Sequence, residues 1–202
     1  MAKIRRIAIG RVFNWGQYEN LRLLYEYEIE DGENEKEVMI KAFEELLEIN
    51  ECLQLYASVR AIFHELDSAI YPKKGPGKLD EYRDFIDNKI AEKAKTLACL
   101  EQIDLIPTAC AEALGPNIEK AKEQRERLKK EIQELNERLK AIDEYEEEYK
   151  KFRGEYFERI KDVKHYIITG SYNLAKDILR ELEEKIKEFG KKLHDLRPPG
   201  WW

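Results

Sequence analysis

RRIAIGRVFNWGQYENLRLLYEYEIEDG, Arg5 to Gly32, decides how this chain is read. It is the one long stretch whose apolar residues recur every second position rather than at helical spacing. In its second half Leu21, Leu23, Tyr25, Tyr27 and Ile29 alternate with Asn20, Arg22, Leu24, Glu26 and Glu28. In its first half Ile7 and Ile9 share a face with Arg5, Arg11 and Phe13. NWGQ lies between them, and Gly16 supplies the conformation that a tight reversal takes. The spacing predicts strands over 4–13 and 18–30, ended by EDGEN at 30–34. Two strands alone are marginal in water. The hairpin is therefore expected to pack on helices, or to pair an edge with another copy.

Everything downstream has helical periodicity. Over 35–71, Val38, Ala42, Leu46, Ile49, Leu53, Tyr56, Val59, Phe63, Leu66 and Ile70 step by three and four. YPKKGPGK at 71–78 breaks that helix with two prolines and two glycines. A second helix starts near Leu79 and carries Tyr82, Phe85, Ile86, Ile90, Ala94, Leu97 and Leu100 until Pro107 ends or kinks it. Beyond GPN at 115–117, Leu128, Leu135 and Ile142 interleave with Ile132 and Leu139 as a short heptad seam. Gly154 is a candidate break. A last helix over 173–196 aligns Ala175, Leu179, Leu182, Ile186, Phe189 and Leu193.

The expected fold class is α+β, mostly α, with an N-terminal β-hairpin packed on two helices and a helical coiled-coil C-terminal half. The expected boundary lies at Gly115, between a domain over 1–114 and an arm over 115–202. Leu128, Ile132, Leu135, Leu139, Ile142, Leu179, Leu182 and Ile186 are the expected oligomerisation positions. The arm is a coiled-coil hairpin within one chain or a zipper between two.

Composition bounds the function. Of 202 residues, 39% are charged and 43% hydrophobic, enough for a core under a Lys/Glu-rich surface. That bias is the signature of hyperthermophile proteins and equally of long helical coiled coils. Net charge is −6, against a general nucleic-acid-coating surface but not against a local basic face. Cys52, Cys99 and Cys110 show no CxxC and no paired-histidine spacing, so they read as reduced core thiols. No apolar signal region and no membrane-length apolar run is present, so the expected location is the cytoplasm.

No catalytic motif is found: no phosphate-binding glycine loop, nucleophile elbow or HExxH. His64, with Glu65 and Asp67 nearby, reads as a surface residue, and EYEEEY at 144–149 as a solvated helix face. The expectation is a non-enzyme without metal or cofactor. The hairpin departs from the acidic whole. Residues 3–22 hold five basic side chains (Lys3, Arg5, Arg6, Arg11 and Arg22) against Glu19 alone. Phe13, Trp15 and Tyr18 surround the turn. Arginines that neutralise phosphate, interleaved with rings that stack on bases, are what a single-stranded nucleic acid requires. Lys73, Lys74 and Lys78 form a second basic cluster. Against this, strand arginines often pair with helix glutamates, and hairpin aromatics often cover a core.

GRVFNWGQYENLRL, Gly10 to Leu23, followed by YEYEIEDGE, resembles the start of the ThermoDBP family, archaeal single-stranded DNA-binding proteins that lack the usual OB-fold. The resemblance implies an N-terminal DNA-binding domain with a cleft of apolar and basic residues. It also implies a C-terminal leucine zipper that makes a dimer. It carries over to Arg11, Phe13, Trp15, Tyr18 and Arg22. The first expectation is thus a dimeric binder of single-stranded DNA or RNA. The alternative is a scaffold whose hairpin edge and coiled coil hold protein partners. Trp201 and Trp202 either dock on such a partner or cap the protein's own helices.

Overall fold

The computed structural model of the chain describes residues 6–16, 19–29, 34–102 and 108–200; of residues 1–25 no side chain is described. The elements run β1 (Arg6–Gly16), β2 (Glu19–Glu28), α1 (Glu35–Ile70), α2 (Lys78–Glu101), α3 (Thr108–Ile168) and α4 (Tyr172–Asp195). They form two compact units. One holds Met1–Glu65 with Gly154–Ile186, the other Leu66–Arg153 with Lys187–Trp202.

In the first unit three helical segments share one core. From α1 come Ala42, Ile49, Cys52, Leu53, Tyr56, Val59 and Phe63. From the end of α3 come Tyr156, Ile160, Val163 and Ile167, and from α4 Tyr172, Ala175, Leu179, Leu182 and Ile186. Spacings of three and four dominate each set, which turns one stripe of each helix inward. Phe63 stacks on Tyr156 with ring centroids 3.5 Å apart. Two ion pairs, Arg159–Glu181 and Lys185–Glu155 (2.8 Å), run across α3 and α4 and set them antiparallel. Lys176 reaches Glu51 of α1 at 3.6 Å. The reversal between α3 and α4 is a Schellman closure. Gly170 adopts φ +79, Ser171 N–H donates to the Tyr166 carbonyl at 2.8 Å, and Gly170 N–H donates to that of Ile167 at 3.4 Å.

The second unit is built on the α2–α3 pair. Arg83 meets Asp143 at 2.8 Å and Lys93 meets Glu131 at 2.5 Å, so α3 descends as α2 rises. That antiparallel register sets Ile86, Ile90, Leu97 and Leu100 of α2 opposite the α3 seam. Near the end of α4 an aromatic cluster fills the space. Phe189 stacks on Phe152 at 4.8 Å and meets Tyr149 and Tyr145 edge-on at 5.5 and 5.8 Å. Tyr145 Oη donates to the Phe189 carbonyl at 3.0 Å. The α1–α2 reversal depends on Gly77. A Cβ there would lie 1.9 Å from the Ile70 carbonyl oxygen, and its N–H donates to the Asp80 carboxylate at 3.1 Å.

The α+β expectation is corrected. The fold is a four-helix, all-α one, and every buried core residue among those described sits on a helix. Among the described residues β1 and β2 pair with each other. The reason is that the core stripe of α1 is met by stripes of α3 and α4, about a hundred residues away in sequence. Two local expectations change as well. The expected boundary at Gly115 and the expected break at Gly154 both fall inside the continuous helix α3. No helix among the described residues is long and apolar enough to cross a membrane.

Candidate functional site

The backbone register of the strand pair sorts the expected contact residues. Ile7 faces Tyr27, Ile9 Tyr25, Arg11 Leu23 and Phe13 Leu21. Directly paired residues share a face of the sheet. One face therefore carries seven large apolar positions and Arg11. The other carries Arg6, Ala8, Gly10, Val12, Asn14, Asn20, Arg22, Leu24, Glu26 and Glu28 by the same pairing. Glu26 and Glu28 are solvent-exposed, as that polar face requires. The ten candidates thus do not form one set: Arg11 and Phe13 lie on the apolar face, Arg6 and Arg22 on the polar one.

Trp15 has a separate position. Asn14 pairs with Asn20 and Gly16 with Glu19, so Trp15 is the extra residue of a bulge at the turn end. Bulges re-aim a side chain and strengthen the local twist. The strand therefore runs three residues beyond the expected end at Phe13. Arg5 and Tyr18 lie outside the described residues, as do Trp201 and Trp202.

Lys73, Lys74 and Lys78 surround the α1–α2 reversal, and none has an ion pair among the described residues. Lys73 and Lys74 are exposed. Lys78 is the first residue of α2, where a cation opposes the helix dipole. Nothing in the local fold consumes these charges. The loop belongs to the second unit and the strand pair to the first.

The expected oligomerisation positions differ in burial within the chain. Leu179 and Leu182 are fully buried and Ile186 nearly so, in the core of the first unit. Ile142 is fully buried, Leu128 is buried, and Ile132, Leu135 and Leu139 are half-buried in the α2–α3 pair.

One surface has no counterpart in the expectations. Met39, Ile40, Phe43 and Leu47 are 44–60% exposed on a side of α1 that adjoins its core stripe. Phe157, Ile168 and Leu174 are exposed as well. All seven exposed large apolar residues among those described belong to the first unit. The signal was present in the sequence as a second apolar stripe at positions 39, 40, 43 and 47. It is overlooked when only one face of the helix is followed.

Titratable groups form structural networks. Asp67 accepts from Tyr149 Oη at 3.2 Å and from Arg153 Nε at 2.7 Å. Burial, with Asp67 beside it, pushes the Tyr149 hydroxyl well above the usual tyrosine range. Burial works against the charged form of Glu146, but hydrogen bonds from Arg83 (2.5 Å) and Lys150 (3.1 Å) outweigh it and hold the carboxyl below its usual range. Burial pushes the Cys52 thiol to about 11 although Lys176 pulls the other way, so at neutral pH it is an inert thiol. Among the described residues no three His, Cys, Asp or Glu side chains gather as a metal ion would need. No family model, curated protein or solved structure matches the chain.

Proposed function

We propose that this is a non-catalytic binding protein that holds single-stranded nucleic acid, DNA first, at the turn end of its hairpin. The observation that supports this reading is the bulge. It sets Trp15 apart from the paired register at the turn end, in a segment that is basic while the whole chain is acidic. A base stacked on Trp15 contributes roughly 1–3 kcal/mol. Arg22, with Tyr18 near it in sequence, supplies a phosphate contact and a second ring, while Arg5 and Arg6 belong to the far, open end of the strand pair. The resemblance to the ThermoDBP family over Gly10–Leu23 favours the same ligand. Lys73, Lys74 and Lys78 are a second set of cations for phosphate.

The test is a titration of a labelled single strand of about 20 nucleotides at low and high salt. Neutralised phosphates release counterions, so affinity falls as salt rises. Trp15→Ala with Arg22→Ala is expected to weaken binding at least ~100-fold, about 1–3 kcal/mol per lost stack plus one phosphate contact. Absence of binding at low salt, or binding indifferent to both salt and the double substitution, refutes the reading.

A second reading is a protein-interaction scaffold, favoured by the concentration of exposed apolar side chains in the first unit. It predicts no oligonucleotide binding and a Trp15 fluorescence unchanged by nucleic acid.

A further inference from the structure

One solvent-facing stripe of α1 carries no charge over most of the helix. Near the start Ile40, Phe43 and Leu47 step by three and four and are 54–60% exposed. The same steps continue through Asn50 and Gln54, and then through Ala57, Ala61 and His64. Asn50 is half-buried and the other four are exposed. With 39% of the chain charged, composition alone would place about three Asp, Glu, Lys or Arg in eight such positions, and there is none. An unbroken uncharged heptad stripe on the open side of a helix has the form of a seam for another helix. The whole stripe belongs to the first unit.

The stripe is graded, and the grading points to its occupant. Its first end is bulky, its middle holds two amides, and its far end is small. Two such stripes laid antiparallel, with a two-fold axis between Asn50 and Gln54, set Leu47 of each copy opposite Ala57 of the other and Phe43 opposite Ala61. Bulky residues then meet small ones, which lets facing layers interdigitate without voids. Asn50 meets Gln54 at the axis, where side-chain amides both donate and accept, and a polar pair within a seam fixes its register. Sliding one copy by a heptad sets Phe43 on Gln54 and Leu47 on Asn50, or else both amides on alanines. Either slip leaves the amides without each other, so one register is singled out. Parallel pairing sets Phe43 on Phe43 and leaves Ala57 and Ala61 facing their own copies across a gap.

Charge on the flanks permits this pairing without driving it. Glu51 of the two copies approach each other at the axis, but Lys176 holds each at 3.6 Å. Lys36, one turn before Ile40, reaches the end of the other stripe near Glu65, with Glu37 beside it as a like charge for that glutamate. All three are exposed, and exposed pairs contribute little, so the seam decides. The 25 residues from Ile40 to His64 set its length. A helix strip of that length is roughly 37 Å long and 10 Å wide, on the order of 400 Å² per copy. That lies at the low end of specific interfaces and fits a weak dimer, not a permanent one.

We propose that the uncharged stripe of α1 is a homodimer surface, on which two α1 helices pack antiparallel with Leu47 seated on Ala57 and Phe43 on Ala61 of the other copy. It uses no strand residue, so it stands apart from the nucleic-acid proposal.

The test is sedimentation velocity of the full chain between about 10 and 500 µM, a span that brackets weak dimers. The wild type is expected to dimerise within it. Ala57→Leu sets leucine against Leu47 of the other copy and is expected to weaken the dimer at least ~10-fold through overpacking. Leu47→Ala with Ala57→Leu exchanges the large and small partners and is expected to restore it. Both sites are exposed and both residue types favour helix, so circular dichroism is expected to stay unchanged. A wild type that is monomeric at the highest concentration overturns the proposal. So does an Ala57→Leu variant that dimerises as well as the wild type or better, which a parallel pair or another surface would give. Failure of the exchange to restore dimerisation overturns it too. Trp15→Ala with Arg22→Ala leaves the dimer intact, so oligonucleotide binding and dimerisation fail or succeed separately.

Discussion

Glu146 shows how single residues hold the second unit together. Its carboxylate lies between Arg83 and Lys150, and Tyr71 Oη donates to it at 3.4 Å. Its proton affinity in the folded chain lies below its ordinary value near 4.5. A carboxyl with a lowered folded value contributes stability above its unfolded value, and loses it as pH falls through the folded one. The urea midpoint is therefore expected to drop as pH falls below about 4.5. Glu146→Gln is expected to start lower at neutral pH and to fall less steeply, as denaturant titrations across that range would measure. An equal slope in both proteins contradicts the role. Such partners were not legible in the sequence. EYEEEY read as a uniform solvated face, yet Tyr145 and Tyr149 within it are buried and Glu146 is bridged by α2. Helical spacing places Tyr145 and Tyr149 on one side, but only the antiparallel register of α2 brings Arg83 to Glu146.

At the scale of elements, packing and chain reversal contribute differently. Leu179 is fully buried among α1, α3 and α4 residues, so Leu179→Ala is expected to cost about 2–5 kcal/mol through lost burial and a residual cavity. Gly170 closes α3 at φ +79, and a methyl added there would meet no atom within 4 Å. Gly170→Ala therefore meets backbone strain alone and is expected to cost about 1–2 kcal/mol. Chemical denaturation of both variants measures the two costs. A Gly170→Ala loss as large as that of Leu179→Ala contradicts the assignment of the core to the helix stripes. The helices themselves were legible nearly to the residue. α1 begins where the period of three and four begins, and α2 begins one residue before Leu79. The continuity of α3 through Gly115 and Gly154 was not, because a glycine weakens a helix by only about 1 kcal/mol and long packed helices absorb that. The alternation in 18–30 coincides with β2, but it led to an α+β reading where the fold is a four-helix, all-α one.

Across the whole molecule, the chain divides into two units that it crosses more than once. The second unit is helix pairing, ion pairs and aromatic packing, with the lysines of the α1–α2 reversal at its surface. The first holds every exposed large apolar side chain described, together with the basic strand pair. A linear division at Gly115 hid this, because α3 and α4 each contribute one part to each unit. The candidate site was legible in residue types, since the Arg/aromatic run is visible at once, but not in geometry. Alternation alone could not reveal that the bulge at Trp15 separates it from the paired register, or that Arg11 and Arg22 fall on opposite faces. The central claim is that the first unit is the binding unit and that its hairpin turn end is the contact. Amide hydrogen exchange of the full chain, with and without a saturating single strand of about 20 nucleotides at low salt, tests it most directly, because protection is read segment by segment. The account predicts new protection confined to the segment around 12–24, lost at high salt, with the α2–α3 pair unchanged beyond the Lys73–Lys78 loop. Protection spread along α2 and α3 with the hairpin unchanged, or none anywhere, would contradict it.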